Sequence, residues 1–373
     1  MGKEQDEEDH VISCDSHSPN DLILVDIIVP VYNAERTLNE AVDSAMTQRI
    51  PEHLVTDFIN AKINISVCCF DDGSTDDSWD LLQRLQAKYS RKADARSAQA
   101  NTTNISSKLY IRSSDDGVAR GAGYARNRAV EIRNSIHDTM EETNSDHHFL
   151  CLLDSDDTMH PTRVAEQVSC MMSLCKDERK RTLLGCNFDR DPPESTWHYA
   201  KWANGLSHER LMLERFREVT IIQPTWMMCR SRWEECKGYV EALPTNVDAN
   251  QNISNQNYSS FLIHPDHDTS ESIKLAEDLR FFHCHLYSNG LLRLHKSEKE
   301  ASLVTYRHSG SSQSFRTPRK LLLQLRVLAF ENSILRCDEH WQQHDGKFVV
   351  WGAGRDGKVR QQTCFDDVKY FQP

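Results

Sequence analysis

The stretch Phe149-Leu150-Cys151-Leu152-Leu153-Asp154-Ser155-Asp156-Asp157 decides the fold, because an apolar run ends there in three carboxylates. The run predicts a buried strand. Three carboxylates at the end of such a strand are unfavourable without a cation, and a divalent ion with a diphosphate would compensate them. A hydrated turn is the alternative, since Asp and Ser favour turns and helix N-caps. Three further motifs upstream favour the ion-binding interpretation.

Composition excludes some classes of function. The chain has 373 residues, 38% of them hydrophobic, which suits a globular protein with one large domain and an accessory piece. Its formal charge of −12 gives no general attraction to phosphate backbones, so broad non-specific binding of nucleic acid is not expected. A local basic patch remains possible from Arg316 to Lys320 together with Arg326.

The cysteines and the N-terminal residues predict a reduced, cytoplasmic location. None of the twelve cysteines forms a CxxC pair, and several, such as Cys68, Cys69 and Cys151, lie in apolar strand-like runs. Residues 1–10 are acidic and lack the basic and apolar regions of a signal peptide. The apolar run 22–32 is too short to span a membrane and contains Asp26, so no membrane association is expected.

The pattern along the chain predicts three regions. Residues 1–21 read as a disordered acidic leader, 22–340 as one α/β domain with polar insertions near 91–107 and 244–260, and 341–373 as a truncated C-terminal α/β segment. That last segment contains a G-x-G-x-x-G turn at 352–357. Only sixteen residues follow Gly357, too few for the roughly thirty-residue βαβ unit of a dinucleotide site.

Strand-like and helix-like segments alternate in the first half of the domain. Strands are predicted at 26–31, 63–70, 108–112 and 149–153, with a helix after each of the first three. This order predicts an open parallel sheet with helices on both faces, in which ligands bind beyond the carboxyl ends of the strands. Pro30 to Asn33, Asp71-Asp72 and Asp154 to Asp157 follow three of those ends. Beyond Thr158 the pattern becomes mixed, with a strand predicted at 219–228.

The motifs resemble the signature of glycosyltransferase family 2. They occur in the family's order over about residues 25–310, and they are Pro30-Val31-Tyr32-Asn33, Asp71-Asp72-Gly73-Ser74, Gly121-x-Gly123-x-Ala125-Arg126-Asn127 and Leu153-Asp154-Ser155-Asp156-Asp157. The resemblance implies a GT-A (Rossmann-like) nucleotide-sugar-binding sheet and an inverting transfer from a UDP-sugar donor.

The resemblance also implies roles at the nucleotide. Asp71 or Asp72 would accept the imide N–H of uracil, and Asp154 would contact the ribose. Pro30 and Tyr32 would pack against the base, with a strand terminator and a half-buried aromatic as the alternatives. Arg126 would approach the uracil or a phosphate, because a guanidinium donates two parallel hydrogen bonds; a salt bridge on the helix surface is its alternative.

Further roles concern the metal, the base and the acceptor. The metal would be Mn²⁺ or Mg²⁺ bound to Asp156. His308 would complete the set of metal ligands or serve only a structural role. Asp157 would bind the metal or cap the next helix. Asp278 matches the family's catalytic base, with Glu277 second, although acidic residues favour any helix start. Thr225 and Trp226 are expected to line the acceptor or sugar pocket, with the core as the alternative for Trp226.

A second set of segments is similar to a narrower group of the family, whose members move galactose to queuosine in tRNA. These segments are Gly185-Cys186, Arg190-Asp191-Pro192-Pro193, Pro224-Thr225-Trp226 and Glu277-Asp278-Leu279. This likeness implies UDP-galactose as donor and tRNA as acceptor. Two alternatives stay open: transfer of N-acetylglucosamine to a glycan or protein, and a non-catalytic protein that binds a nucleotide sugar.

Overall fold

The computed structural model describes residues 22–97, 104–133, 147–241, 262, 269, 271–297, 302–308 and 317–335. The predicted leader 1–21, the insertion near 244–260 and the C-terminal segment 341–373 lie outside the described residues.

A seven-stranded sheet forms the centre of the fold, in the order β3-β2-β1-β4-β8-β6-β9. Its strands are β1 Leu22–Val31, β2 Lys62–Asp71, β3 Ile105–Ser113, β4 His148–Leu152, β6 Thr182–Cys186, β8 Met227–Cys229 and β9 Leu291–His295. The first four strands are parallel, which confirms the prediction for this half. The sheet as a whole is mixed, because β8 runs antiparallel to both β4 and β6.

A second sheet of three strands lies beside the first and has the order β5-β10-β7. Its strands are β5 Thr158–Met159, β7 Phe188–Asp191 and β10 Val304–Arg307. Strand β5 begins directly after the acidic triplet, and β10 pairs with it in antiparallel register. This pairing brings a segment about 150 residues further along the chain against the triplet, as Arg307 donates its backbone N–H to Asp157 (|i−j| = 150).

Helices flank the large sheet. They are α1 Leu38–Met46, α2 Ser78–Ser97, α3 Ala122–Ile132, α4 Arg163–Met172, α5 Lys176–Arg181, α6 Trp197–Asn204, α7 His208–Leu213, α8 Arg230–Glu235, α9 Glu277–Tyr287 and α10 Arg319–Phe330. Shorter turns of helix occupy Glu52–Leu54, Gln223–Thr225 and Ser272–Lys274, and a π turn Glu331–Leu335 follows α10. Within the described ranges, no helix is both long and apolar enough to cross a membrane.

Two predicted elements differ from the structure. The polar stretch near 91–107 is not a continuous loop, because α2 runs to Ser97 and β3 begins at Ile105. Lys, Arg and Ala dominate this end of α2, and all three favour helix despite their polarity or small size. The strand predicted at 219–228 shrinks to Met227–Cys229, because Pro224 lacks a donor for sheet pairing and lies in a 3₁₀ turn.

Apolar side chains cover both faces of the sheet. Alternate β1 residues such as Ile23, Val25 and Ile27 join one buried cluster, while Ile28 belongs to a second cluster. The first cluster includes residues of α1, α2 and α4, and the second includes residues of α3, α9 and α10. Burial on both faces explains why β1 and β4 are almost continuously apolar, and it confirms a mixed α/β fold with a large central sheet flanked by helices.

Asp26 is the buried exception in β1. Its carboxylate accepts hydrogen bonds from Arg133 at 2.8 Å, from Arg230 at 3.2 Å and from the ring of His148 at 2.7 Å. Burial acts to raise the pKa of Asp26, but the hydrogen bonds and charges of His148 and Arg133 outweigh burial and hold the pKa below its ordinary value. The charge is therefore satisfied internally, and it ties α3 and α8 to the centre of the sheet.

Candidate active site

The parallel strands end at one edge of the sheet, and the sequence motifs meet there. Val31 and Asp71 are register partners, so β1 and β2 end at the same level. Tyr32, the first residue after β1, has a side chain that is 50% exposed. Pro30, by contrast, is buried within β1 opposite Phe70. Of the two predicted base contacts, only Tyr32 presents a large surface to solvent.

Asp71 and Asp72 are both buried beside this edge. One oxygen of Asp72 accepts the backbone N–H groups of Arg120 at 2.8 Å and Gly121 at 2.7 Å, and one oxygen of Asp71 accepts that of Ser74 at 3.2 Å. Burial raises the pKa of Asp72 although both N–H groups act to lower it. Among the described residues, the second oxygen of each carboxylate has no hydrogen-bond partner. Two buried carboxylate oxygens at this edge are thus left unsatisfied by the described residues.

Gly73 sets the turn that follows these two residues. Its φ of +72° lies in the left-handed region, and a Cβ there would lie 2.6 Å from the carbonyl oxygen of Gly117. The backbones of the two loops therefore touch, which only glycine permits. Gly123 serves packing as well, since a Cβ at that position would lie 3.1 Å from the Cβ of Tyr239.

The acidic triplet forms the most charged part of the site. Asp154, Asp156 and Asp157 each offer a carboxylate oxygen, and these oxygens lie within 4.8 Å of one another. Burial, and next the charge of Asp154, raises the pKa of Asp156 to about 6. Burial and the charge of Asp156 raise the pKa of Asp157 well above its ordinary value. The three negative charges destabilise one another, so this is a place where a cation would bind favourably.

Asp157 does not cap the following helix. That helix, α4, begins at Arg163 with Thr162 as its N-cap. Instead, one oxygen of Asp157 accepts the backbone N–H of Arg307 at 2.8 Å. Its other oxygen is buried and lacks a hydrogen-bond partner within the described part of the chain. This orphaned oxygen and the repulsion inside the triplet both fit a hard divalent cation with oxygen ligands, as Mg²⁺ or Mn²⁺ would be.

Arg126 links the triplet to the helix that carries the predicted base. Its guanidinium donates to Asp154 at 2.6 Å and to Glu277 at 2.9 Å, and the side chain is only 4% exposed. Burial alone would lower the pKa of Arg126, but the neighbouring carboxylates raise it above its ordinary value. A salt bridge on the helix surface is therefore the wrong interpretation, because the group is buried and both partners lie outside α3.

Glu277 and Asp278 open helix α9 after Ala276, which has a φ of 54°. Glu277 is paired with Arg126, whereas the half-buried carboxylate of Asp278 accepts the backbone N–H of Leu279 at 2.7 Å. Burial, followed by the negative charge of Glu277, raises the pKa of Asp278 to about 7. A carboxylate with such a pKa can accept a proton near neutral pH, as a general base must.

His308 lies near the triplet but is not one of its three ligands. Its Nδ1 is 3.3 Å from the guanidinium of Arg190, and its backbone N–H donates to Asp191 at 2.8 Å. The structure places it at the end of β10, one residue after the Arg307 N–H that binds Asp157. Its role as a metal ligand stays a prediction.

Thr225 and Trp226 lie in the core, with side chains fully buried. The Thr225 hydroxyl donates to the carbonyl of Ile222 at 2.7 Å, and the Trp226 indole donates to that of Ile221 at 2.8 Å. The Trp226 ring also packs 5.6 Å from the ring of Phe281 in α9. Their polar groups are satisfied by backbone, so in this structure they support the site from behind and do not line its surface.

Sequence reasoning missed Glu218 and Arg307. The negative charge of Glu218 contributes to the raised pKa of Asp278, and the backbone of Arg307 fixes Asp157. Neither residue belongs to a motif, and each reaches the site through a contact between segments far apart in the chain. Arg307 does directly precede His308, which was the available signal for its neighbourhood.

Part of this chain is similar to known proteins. Residues 26–103 match the family model described as glycosyl transferase family 2. Chondroitin synthase of Escherichia coli is 26% identical over 60% of this chain and 25% of its own length. The E. coli protein named UDP-Glc:alpha-D-GlcNAc-diphosphoundecaprenol beta-1,3-glucosyltransferase WfaP is 26% identical over 40% of this chain and 41% of its own. This chain thus spans less than half of either relative.

A solved structure, S. aureus TarS 1–349 in complex with UDP-GlcNAc, is 14% identical with a TM-score of 0.45 over 86% of this chain and 70% of that one. The family match covers residues 26–103 of the 373-residue chain, and each of the two relatives is 26% identical to it. The chain is thus similar to glycosyltransferases of family 2 over part of its length.

Proposed function

We propose that this chain, with residues 26–103 matching glycosyl transferase family 2, is a metal-dependent inverting glycosyltransferase of GT-A fold that uses a UDP-sugar. The observation that carries the proposal is the ion-pair bridge through Arg126. It joins Asp154, at the donor end of the parallel strands, to Glu277, next to a carboxylate of raised pKa. Sugar transfer requires the groups that bind the donor to lie beside the base that activates the acceptor hydroxyl.

The part of the site assigned to the UDP-sugar contains carboxylate oxygens that can accept hydrogen bonds from a nucleotide. The unpartnered oxygens of Asp71 and Asp72 suit the imide N–H of uracil, and the exposed Tyr32 ring suits a stacked base. Asp154 is assigned to the ribose. A UDP-sugar as donor also agrees with the name of WfaP, which specifies UDP-Glc.

The acidic triplet is assigned to a divalent cation, Mn²⁺ or Mg²⁺. Asp156 would hold the ion, with Asp157 close enough to share it and His308 as a further candidate. A bound divalent ion neutralises charge that develops on a departing diphosphate. Arg126 fixes the position of Asp154, so that the nucleotide and the triplet keep the same position relative to each other.

The acceptor half supplies the base. In an inverting transfer, the acceptor oxygen bonds to the anomeric carbon as the bond from that carbon to the diphosphate breaks. Asp278 takes the hydroxyl proton, and the diphosphate leaves with the electron pair of the broken bond. Glu277 is held by Arg126 and therefore serves as a positioning residue, while its charge keeps Asp278 basic enough to act.

We assign UDP-galactose as the donor and queuosine in tRNA as the acceptor. This assignment depends on the likeness of Arg190-Asp191-Pro192-Pro193, Pro224-Thr225-Trp226 and Glu277-Asp278-Leu279 to queuosine-tRNA galactosyltransferase. The second candidate is transfer to a polysaccharide, favoured by the similarity to chondroitin synthase. The two candidates share the site and differ in the donor sugar and in the acceptor that approaches Asp278.

The test is an incubation with Mn²⁺ and radiolabelled UDP-galactose or UDP-N-acetylglucosamine. The acceptors are tRNA with queuosine, tRNA without it, and a chondroitin oligosaccharide. Label that enters only queuosine-bearing tRNA from UDP-galactose supports the proposal. Label in the oligosaccharide assigns the second candidate, and tight UDP binding without turnover of either donor leaves a non-catalytic nucleotide-sugar-binding protein.

Variants tie the activity to the site. Asp156→Ala and Asp278→Asn are both expected to abolish transfer. Asp177→Asn is the matched control, because it removes an exposed carboxylate from the first turn of α5. Transfer that survives Asp278→Asn at the wild-type rate would refute the assignment of the base.

A further inference from the structure

A cavity of about 480 Å³ lies between the segment 216–218 and helix α10. Ligand pockets commonly have volumes of this order. Its lining residues are Phe216, Arg217, Glu218, Arg319, Leu322, Leu323 and Arg326. None of them belongs to the donor motifs, and the proposed transfer mechanism uses none of them directly.

The charge of this cavity is opposite to that of the chain. Three guanidinium groups line it against one carboxylate, in a protein whose formal charge is −12. Arg326 is paired with Glu218, but its Nε is buried and has no hydrogen-bond partner in the described ranges. Arg217 lines the cavity with 65% of its side chain exposed, and one of its guanidinium nitrogens donates to Glu214 at 3.0 Å. These features favour an anion.

The aromatic wall of the cavity is held in a fixed position. The Phe216 ring stacks on His283 of α9 with a centroid distance of 5.6 Å and an interplanar angle of 10°. It also meets the Phe330 ring edge-on at 5.3 Å. The cavity is thereby attached to both α9 and α10, which pack against each other.

The cavity lies on the acceptor side of the site. His283, which supports Phe216, lies in the same helix that Glu277 and Asp278 open. The negative charge of Glu218, a lining residue, contributes to the raised pKa of Asp278. The cavity and Asp278 are thus linked through helix α9 and through the charge of Glu218.

We propose that this cavity binds a phosphate group of the acceptor nucleic acid, with Arg217 and Arg319 donating hydrogen bonds to its oxygens. The inference depends on the proposed function, because it takes the side of Asp278 as the acceptor side. A guanidinium suits a phosphate because it presents paired donors in one plane. A few such contacts let an acidic protein bind RNA at one place without general attraction to it.

The test measures equilibrium binding of tRNA by fluorescence anisotropy, in the presence of UDP and at several salt concentrations. Arg217→Gln and Arg319→Gln are each expected to weaken binding about tenfold, the loss of one charge-assisted contact. Each is also expected to reduce the slope of log K against log salt by about one. Inorganic phosphate should compete with tRNA for the wild-type protein.

The chain offers two matched controls. Arg210 and Arg217 both pair with Glu214, but only Arg217 lines the cavity. Lys320 is exposed and follows Arg319 directly in α10, without lining the cavity. Arg210→Gln and Lys320→Gln are expected to change tRNA affinity less than twofold.

The outcomes separate this inference from the proposed function. Equal binding by the Arg217 and Arg319 variants and their controls overturns the phosphate site, even if sugar transfer to tRNA proceeds. Weakened binding in those variants alone supports the site, even if no transfer is found. Weakened binding of a chondroitin oligosaccharide, with tRNA binding unchanged, assigns the cavity to a carboxylate-bearing glycan and overturns the phosphate assignment.

Discussion

Replacing Asp278 with Asn should make the protein more stable and nearly inactive at the same time. The carboxylate is half-buried beside the negative charge of Glu277, and both features disfavour its ionised form. Asparagine keeps an oxygen in place to accept the N–H of Leu279, the 2.7 Å hydrogen bond seen in the structure, but carries no charge. The substitution therefore removes an unfavourable charge without removing that contact.

The magnitude and the pH window follow from the pKa. Ionised Asp278 destabilises the folded state, because its pKa rises from 3.8 to about 7 on folding. The effect is absent below pH 3.8, grows as the pH rises, and is complete above about 7. At about 1.4 kcal/mol per pKa unit, full burial would give roughly 4 kcal/mol, and solvent screening at a half-buried position reduces this to about 2 kcal/mol.

The assay is urea unfolding of wild type and Asp278→Asn at pH 8 and pH 4. We expect the variant to be about 2 kcal/mol more stable at pH 8 and equal to wild type near pH 4. Transfer should fall about 10³-fold, and the wild-type rate should rise with pH through about 7 as the base ionises.

The exposed control Asp177→Asn should change stability by less than about 0.5 kcal/mol. A variant that is less stable than wild type at pH 8, or that keeps full activity, would refute the reasoning.

Three further substitutions test the rest of the site. Arg126→Gln should cost about 2 kcal/mol in urea unfolding, because it leaves two partly buried carboxylates without their shared cation; an unchanged midpoint would contradict this. Asp156→Ala should weaken Mn²⁺ binding in calorimetry at least about tenfold, and equal affinity in this variant and Asp177→Ala would exclude the triplet as the metal site. Gly73→Ala should cost about 2 kcal/mol, since its positive φ and a loop carbonyl 2.6 Å from the new Cβ both oppose a side chain; wild-type stability would show that the loops can separate.

Much of the first half of the fold could be predicted from the sequence. Apolar runs that end in Asp or Pro motifs marked β1, β2 and β4, because strands buried on both faces are almost continuously apolar. The parallel order then brought the motif positions to one edge without any knowledge of contacts. The second half of the fold could not be predicted in this way, because its strands are short and carry no such pattern. Strand β8 is only three residues long, and its antiparallel pairing depends on neighbours that no local pattern specifies.

The identity of site residues was predictable where a motif follows a strand, and unpredictable where the partner is remote. Arg126 was expected to reach the nucleotide. The residues around it do not indicate that it pairs with Glu277, which lies 151 residues further along the chain. Thr225 and Trp226 were expected at a pocket surface, with the core as the alternative for Trp226. Both lie in the core, where nearby backbone carbonyls satisfy their donors. Burial of a polar side chain depends on such partners, and local sequence does not reveal them.

The bridge through Arg126 also divides the carboxylates of the site into those that are paired with a cation and those that are not. Asp154 and Glu277 belong to different halves of the site, and one buried guanidinium satisfies both. The charges left over are those of Asp156, Asp157 and Asp278, whose pKa values are all raised. A cation at the triplet would compensate the charges of Asp156 and Asp157. Asp278, beside Glu277, is then the carboxylate proposed to accept a proton. The proposed division between a metal site at the triplet and a base at Asp278 thus follows from which carboxylates Arg126 pairs with.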